Sequence, residues 1–141
     1  MTHPQLVQRV AAYGIAREGG AVLLARASSA SDFPGQWSPP GGGVDFGEHP
    51  RDCVVREFGE ETGLDIVAHG DPHIASDVLD IPARDLRLHT VRFIYAVDVV
   101  GGALRNEDDG TTDLVAWVPV GELATIPLMP FARDLVQLTT D

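Results

Sequence analysis

The stretch Gly42–Leu64, GGVDFGEHPRDCVVREFGEETGL, constrains this chain more than any other, because most of it can form only one kind of element. Pro50 suits the first position of a helix, where a missing N–H costs nothing, and Asp52 follows in the first turn, facing the positive end of the helix dipole. Gly63 supplies the left-handed residue that ends such helices. The spacing therefore predicts one helix over about residues 50–62. At about 100° per residue, Glu57, Glu60 and Glu61 share one arc of that helix, and Val54, Phe58 and Val55 fill an adjoining apolar arc suited to a core. Cys53 falls between Glu57 and Glu60 on the same projection.

Carboxylates three and four residues apart cost an isolated helix about 0.2–0.5 kcal/mol per pair. As a charge pattern alone, the acidic arc reads as a solvated helix face. A bound cation reverses the sign of that repulsion. Oxygen ligands without a cysteine or histidine pattern favour Mg²⁺ or Mn²⁺ over zinc, and Mg²⁺ commonly lets substrate phosphates complete its shell. His49, His69, His73 and His89 show no metal-ligand spacing.

The rest of the chain bounds what such a site can serve. The 141 residues with 44% apolar content suit one domain with a single real core, and no linker, repeat or low-complexity segment interrupts them. No apolar run approaches the ~20 residues of a bilayer span, so no membrane partner is expected. The first residues, MTHPQLVQRV, lack the basic-then-apolar layout of a signal peptide, which points to the cytoplasm. A formal charge of −11 argues against nonspecific binding to a nucleic acid polymer. An acidic chain acting on anionic substrates then needs a cation or local arginines. All ten basic residues are arginine, a bias that, with the many Ala, Gly, Val and Asp residues, suggests a GC-rich bacterial genome. A lone cysteine excludes an internal disulfide.

In chain order, residues 1–9 read as a loose lead-in or short edge segment. Residues 10–26 read as a hairpin turning at Glu18-Gly19-Gly20, and 28–35 as a loop. Gln36–Pro40 is short and extended. Beyond the helix, strands are predicted at 64–68, 73–81, 88–100 and 114–118, an acidic loop at 106–113, and helices at 120–124 and about 130–138. The sum is an α/β chain with a mixed sheet.

The full spacing says more than the helix does. Gly42, Glu48, Arg56-Glu57, Phe58, Glu60-Glu61, Gly63 and Leu64 occupy every fixed position of the pattern G-x5-E-x7-R-E-U-x-E-E-x-G-U, where U is a bulky apolar residue. That pattern is the Nudix box, and the chain resembles the Nudix hydrolase (MutT-like) family. The flanks agree: Trp37–Gly42 is similar to the family's W-x-x-P-G-G approach, and Trp117-Val118-Pro119 to its late W-hydrophobic-P segment. The resemblance covers roughly residues 8–138 and implies a single domain, 1–141, with an α/β/α sandwich. It implies metal ligation by Glu57, Glu60 and Glu61, with Glu48 touching the network or coordinating through water, and the Gly42 carbonyl as a further ligand. Arg56 would orient the carboxylates, and Gly41 and Gly42 would let the backbone pass close to metal and phosphates. The implied reaction is metal-assisted attack of water on a diphosphate, with Glu60 or Glu61 as default base and the 107–113 loop as a source of a further carboxylate.

Two positions depart from the family pattern. Pro39 replaces a bulky apolar residue, so the local strand is expected to bend, and Cys53 replaces the usual alanine and reads as a small packing residue. Arg26 and Arg92 are candidate phosphate contacts, and Trp37 a candidate base-stacking residue. The window after the box holds Pro82 a few positions late and no tyrosine, which counts against ADP-ribose and diadenosine polyphosphate specialities. No coenzyme A signature is visible. Nucleoside triphosphates or modified nucleotides lead, ahead of nucleotide sugars and ADP-ribose. A non-catalytic nucleotide or ADP-ribose sensor is the alternative of another class, with a diphosphate isomerase behind it. A homodimer would be in keeping with the family.

Overall fold

The structure is a computed structural model that describes residues 3–135. Seven strands and two helices follow in the order β1 (Gln5–Glu18), β2 (Ala21–Ala27), β3 (Trp37–Ser38), β4 (Gly41–Gly43), α1 (Pro50–Thr62), β5 (Leu64–Ile81), β6 (Leu86–Gly102), β7 (Thr112–Pro119) and α2 (Pro130–Asp134). Short 3₁₀ turns cover Pro82–Arg84 and Val120–Thr125. The sheet order is β3-β2-β1-β6-β5, with β4 added to β1 and β7 to β2. β1 and β6 run parallel and every other pairing is antiparallel, so the sheet is mixed.

β1 is the central strand, and its sequence shows why. Ala11–Ala16 is buried without a break, the mark of a strand covered on both faces. Side chains alternate across a strand, so Ala12 and Ala16 enter a core with Val54 and Phe58 of α1. Ala11, Tyr13 and Ile15 enter a second core with Leu123, Leu128, Ala132 and Leu135. Helix layers thus lie on both sides of the sheet, the α/β/α arrangement expected.

One edge of β1 changes partner along its length. Arg17 and Glu18 pair with β2 across the Gly19-Gly20 turn, whose residues have φ of 57° and 78° as a tight hairpin requires. Ala11–Tyr13 pair instead with the glycines of β4. That switch brings Gly41–Gly43 into the sheet directly beneath α1. Helix α1 runs Pro50–Thr62, as its sequence predicts. His49 caps it by accepting the Arg51 N–H, and Gly63 closes it at φ 76°. Arg51 then ties the first turn to β5, donating to the carbonyls of Ala68 and Gly70 at 2.6 and 2.8 Å.

Several sequence expectations change. Of residues 1–9, read as a lead-in or short edge segment, Gln5–Arg9 are part of the long strand β1, because they pair in parallel with Leu86–Thr90. The two strands expected at 64–68 and 73–81 are one, β5, whose register slips between His69 and His73. The predicted strand at 88–100 extends to 86–102. The predicted helix at 120–124 is a 3₁₀ segment. At Pro39-Pro40 the chain leaves β3 for β4, with the Pro40 carbonyl accepting the Gly14 N–H. The predicted C-terminal helix is seen over Pro130–Asp134 with Leu135 as its cap, and residues 136–138 lie outside the described residues. No helix among the described residues is long and apolar enough to cross a membrane.

Candidate active site

Three pieces of local structure meet at the site: the glycine strand β4, the turn before α1, and one face of α1. Phe58, wholly buried, seats the helix against Gly14, where an added Cβ would stand 2.5 Å from its ring. With that face fixed, the adjoining side of the same turns presents Glu57, Glu60 and Glu61. Gly41 lies so close to β1 that a side chain there would strike the Ala12 carbonyl. A Cβ on Gly42 would lie 2.8 Å from the Glu57 carboxylate. Bare backbone is thus required beside these acids.

Arg56 organises the acidic groups. Its Nε and Nη2 donate to the two oxygens of Glu48 at 2.8 and 3.0 Å, a bidentate fork. Its Nη1 reaches Glu57 at 3.1 Å and Glu60 at 3.2 Å, and Nη2 also pairs with Asp45 at 3.4 Å. The fork holds the Glu48 pKa down at about 2, with burial opposing. Glu61 turns the other way: its Oε2 accepts the Gly41 N–H at 2.8 Å, and the residue is only 5% exposed. Burial first, then the Glu57 charge, push its pKa well above the usual carboxylate range, and the Gly41 N–H offsets only part. Burial raises Glu57 as well, against the pull of Arg56.

Among the described residues, no three of His, Cys, Asp and Glu converge into a ready cation cage. The donor chemistry nevertheless fits a hard divalent cation: carboxylate oxygens beside glycine backbone, two of them carrying a desolvation cost that a cation would offset. The Gly42 carbonyl accepts the Cys53 thiol at 3.6 Å, and the Gly43 carbonyl accepts both that thiol and Arg56 Nη2. Cys53 is fully buried, and burial followed by the charges of Glu48 and Glu57 push its thiol up to about 12. It packs; it does not titrate near neutrality.

A cavity of about 640 Å³ opens from these groups across the sheet face that carries α2. Glu57, Glu61 and Gly41 line one side of it, and Arg92, Asp77 and Phe131 another. Arg92 thus joins the site. Arg26 and Trp37 do not line this cavity: Arg26 pairs with Asp113 at 2.8 Å, and Trp37 packs against the α2-side core with Arg26 over its ring at 5.9 Å. Sequence reading passed over Asp45, Tyr13 and Asp77, whose roles depend on partners far away in the chain. Glu107, from the acidic loop, lies near enough to raise both Glu57 and Glu61 and accepts a hydrogen bond from Thr112.

Comparison with known proteins agrees with this architecture. The NUDIX domain family model matches residues 6–139, and the chain belongs to the Nudix hydrolase family. It is 37% identical over 102 residues to an ADP-ribose pyrophosphatase of Methanocaldococcus jannaschii, an alignment covering 71% of this chain and 56% of that longer relative. It is 34% identical over 133 residues to the nucleoside triphosphatase NudI of Enterobacter sp., covering 89% of this chain and 92% of the relative. A MutT NUDIX hydrolase from Burkholderia pseudomallei shares the fold at a TM-score of 0.75 and 24% identity, covering 93% of this chain and 97% of that one.

Proposed function

We propose that the protein is a Mg²⁺-dependent pyrophosphohydrolase, with Mn²⁺ able to substitute, acting on a nucleoside triphosphate or modified nucleotide. The observation that carries this is Glu57 and Glu61, on adjacent turns of α1, standing beside bare glycine backbone at the mouth of a nucleotide-sized cavity. Glu57, Glu60 and Glu61 would hold the cation, with Glu48 reached through water or through Arg56, and the cation would neutralise charge on the phosphates and activate water. Arg56 keeps Glu48, Glu57 and Glu60 from separating under their mutual repulsion. The bare backbone of Gly41 and Gly42, where a side chain would strike the Ala12 carbonyl or the Glu57 carboxylate, would leave room for a diphosphate beside the acids. Glu61, whose proton affinity is raised by burial, is the stronger candidate to take a proton from the attacking water; half-exposed Glu60 is the other.

Relatives named for ADP-ribose and for nucleoside triphosphates both align with the chain, and NudI does so over nearly its full length. That favours the triphosphate reading over ADP-ribose or a nucleotide sugar. A pure nucleotide sensor has no use for two desolvated carboxylates, which burden the fold unless a cation is bound. The test is a nucleotide panel with Mg²⁺ or Mn²⁺, read by phosphate and pyrophosphate release, on the wild-type chain and on Glu60→Gln and Glu61→Gln. Turnover that collapses in the variants supports the reading. Full activity in both variants, or nucleotide binding without turnover at any metal level, overturns it.

A further inference from the structure

Arg92 is the anomaly in the cavity. Its residue is 8% exposed, its guanidinium lies 4.1 Å over the Phe131 ring, and its Nη1 donates to Asp77. Its Nε is sealed from solvent without any hydrogen-bond partner. A buried, unsatisfied donor is destabilising, a cost set against the Asp77 ion pair and the Phe131 contact. The Asp77 charge already compensates it, which makes it a poor general anchor for phosphate. What the pair offers a ligand is hydrogen-bonding pattern.

The strand register places that pattern at a definite reach from the metal carboxylates. Gly43 of β4, Ala11 of β1, Arg92 of β6 and Ala75 of β5 lie across the sheet at one level. Two strand spacings of about 4.8 Å therefore separate the backbone of Gly43 from that of Arg92. A ribose and base are long enough to bridge a gap of that size from a diphosphate lying on the glycines. Asp77, 40% exposed at its side chain, lines the cavity with one carboxylate oxygen held by Arg92 and the other unengaged by it. A carboxylate has about four acceptor sites, and a guanidinium five N–H donors. With Nε sealed and one Nη1 hydrogen given to Asp77, what the pair presents to the cavity is the remaining Nη N–H groups of Arg92 beside the two oxygens of the Asp77 carboxylate.

Building on the pyrophosphohydrolase reading, we propose that Arg92 and Asp77 read the nucleobase and select guanine. Among the common bases, only guanine carries the complement in order on one edge: the O6 acceptor for Arg92, then N1–H and the 2-amino group for the Asp77 carboxylate. Adenine, cytosine and uracil each lack the two adjacent donors. Tyr13 and Phe131, with ring centroids 4.7 Å apart, form an aromatic wall beside the pair, with the guanidinium 4.1 Å over Phe131.

The experiment compares GTP, ITP, ATP, CTP and base-free tripolyphosphate by kcat/KM with Mg²⁺. Calorimetric binding of GMP and AMP is measured in parallel, since it needs no turnover. Wild type should favour GTP over ATP by about tenfold to a hundredfold, the range of a bidentate base contact, with ITP between them for want of the 2-amino group. Asp77→Asn and Arg92→Met should bring the GTP/ATP and GMP/AMP ratios to within about threefold, with a smaller loss on tripolyphosphate than on GTP. Equal losses on every substrate, tripolyphosphate included, would make Arg92 a phosphate clamp and overturn the proposal. So would an adenine preference, or base ratios unmoved in variants whose melting temperature alone has shifted. Absence of all turnover would refute the hydrolase reading, while the GMP/AMP binding ratio still decides the base-reading claim.

Discussion

Glu61→Gln should make the cation-free protein more stable and the enzyme inactive. The wild-type carboxylate is 5% exposed, accepts one N–H from Gly41 at 2.8 Å, and faces the Glu57 charge. Its folded pKa lies above its unfolded value of about 4.3, so the fold disfavours the ionised form. The sign follows from linkage. Stability at this position is fully present below the unfolded pKa, falls as pH rises through the folded pKa, and is level beyond it. Glutamine keeps the shape and an oxygen for the Gly41 N–H but carries no charge. The variant should therefore gain about 1–3 kcal/mol over wild type at pH 8, the cost of a buried and poorly compensated polar group. At roughly 3 °C per kcal/mol for a chain of this size, that is a rise of about 3–9 °C in Tm. The assay is thermal unfolding by circular dichroism in EDTA from pH 4 to 8, repeated with saturating Mg²⁺. The gain should vanish below about pH 4, and Mg²⁺ should stabilise wild type more than the variant, while turnover falls about a hundredfold or more. A variant no more stable than wild type at pH 8, or a difference independent of pH, would refute the reasoning.

Gly42→Ala should cut kcat about a hundredfold with little change in Tm, because its Cβ would stand 2.8 Å from the Glu57 carboxylate and push that group off its position. Steady-state kinetics beside a melting curve separates the two effects. Gly14→Ala should do the reverse, costing about 1–3 kcal/mol in urea unfolding as its Cβ meets Phe58 at 2.5 Å, since overpacking at a rigid ring forces the helix outward. The Cys53 thiol, buried and pushed up to about 12, should resist a chromogenic disulfide reagent at pH 8 until the chain is unfolded. Rapid labelling of the native protein would show that α1 opens locally from β4.

Much of this was legible along the chain because it depends on short-range spacing. Pro50, the 3.6-residue period and Gly63 define α1 within its own residues, and the same period puts Glu57 and Glu61 one above the other. The Gly19-Gly20 turn defines its hairpin for a similar reason: two residues with positive φ suffice. Residues 5–9 were unreadable because QLVQR carries no strong strand signal, and only its pairing with Leu86–Thr90 makes it strand. The segment Val120–Thr125, read as an α-helix, is a 3₁₀ turn whose Leu123 is buried in the α2-side core, a distinction that so short a stretch does not carry in its own sequence.

The sequence by itself determined which groups the candidate site brings together, because a helix turns neighbours in the chain into neighbours in space: the carboxylates, the arginine beside them and the glycines before them lie within 23 residues. Only the tertiary structure decided how those groups are charged and what they face. The opposed environments of Glu48 and Glu61, one held ionised by Arg56 and one buried behind Gly41, follow from how β4 slides under α1. The meeting of Arg92 with Asp77, 15 residues apart in the chain, follows from the β5–β6 register. A shift of one residue in that register would turn Asp77 to the opposite face of the sheet, and no local propensity specifies it.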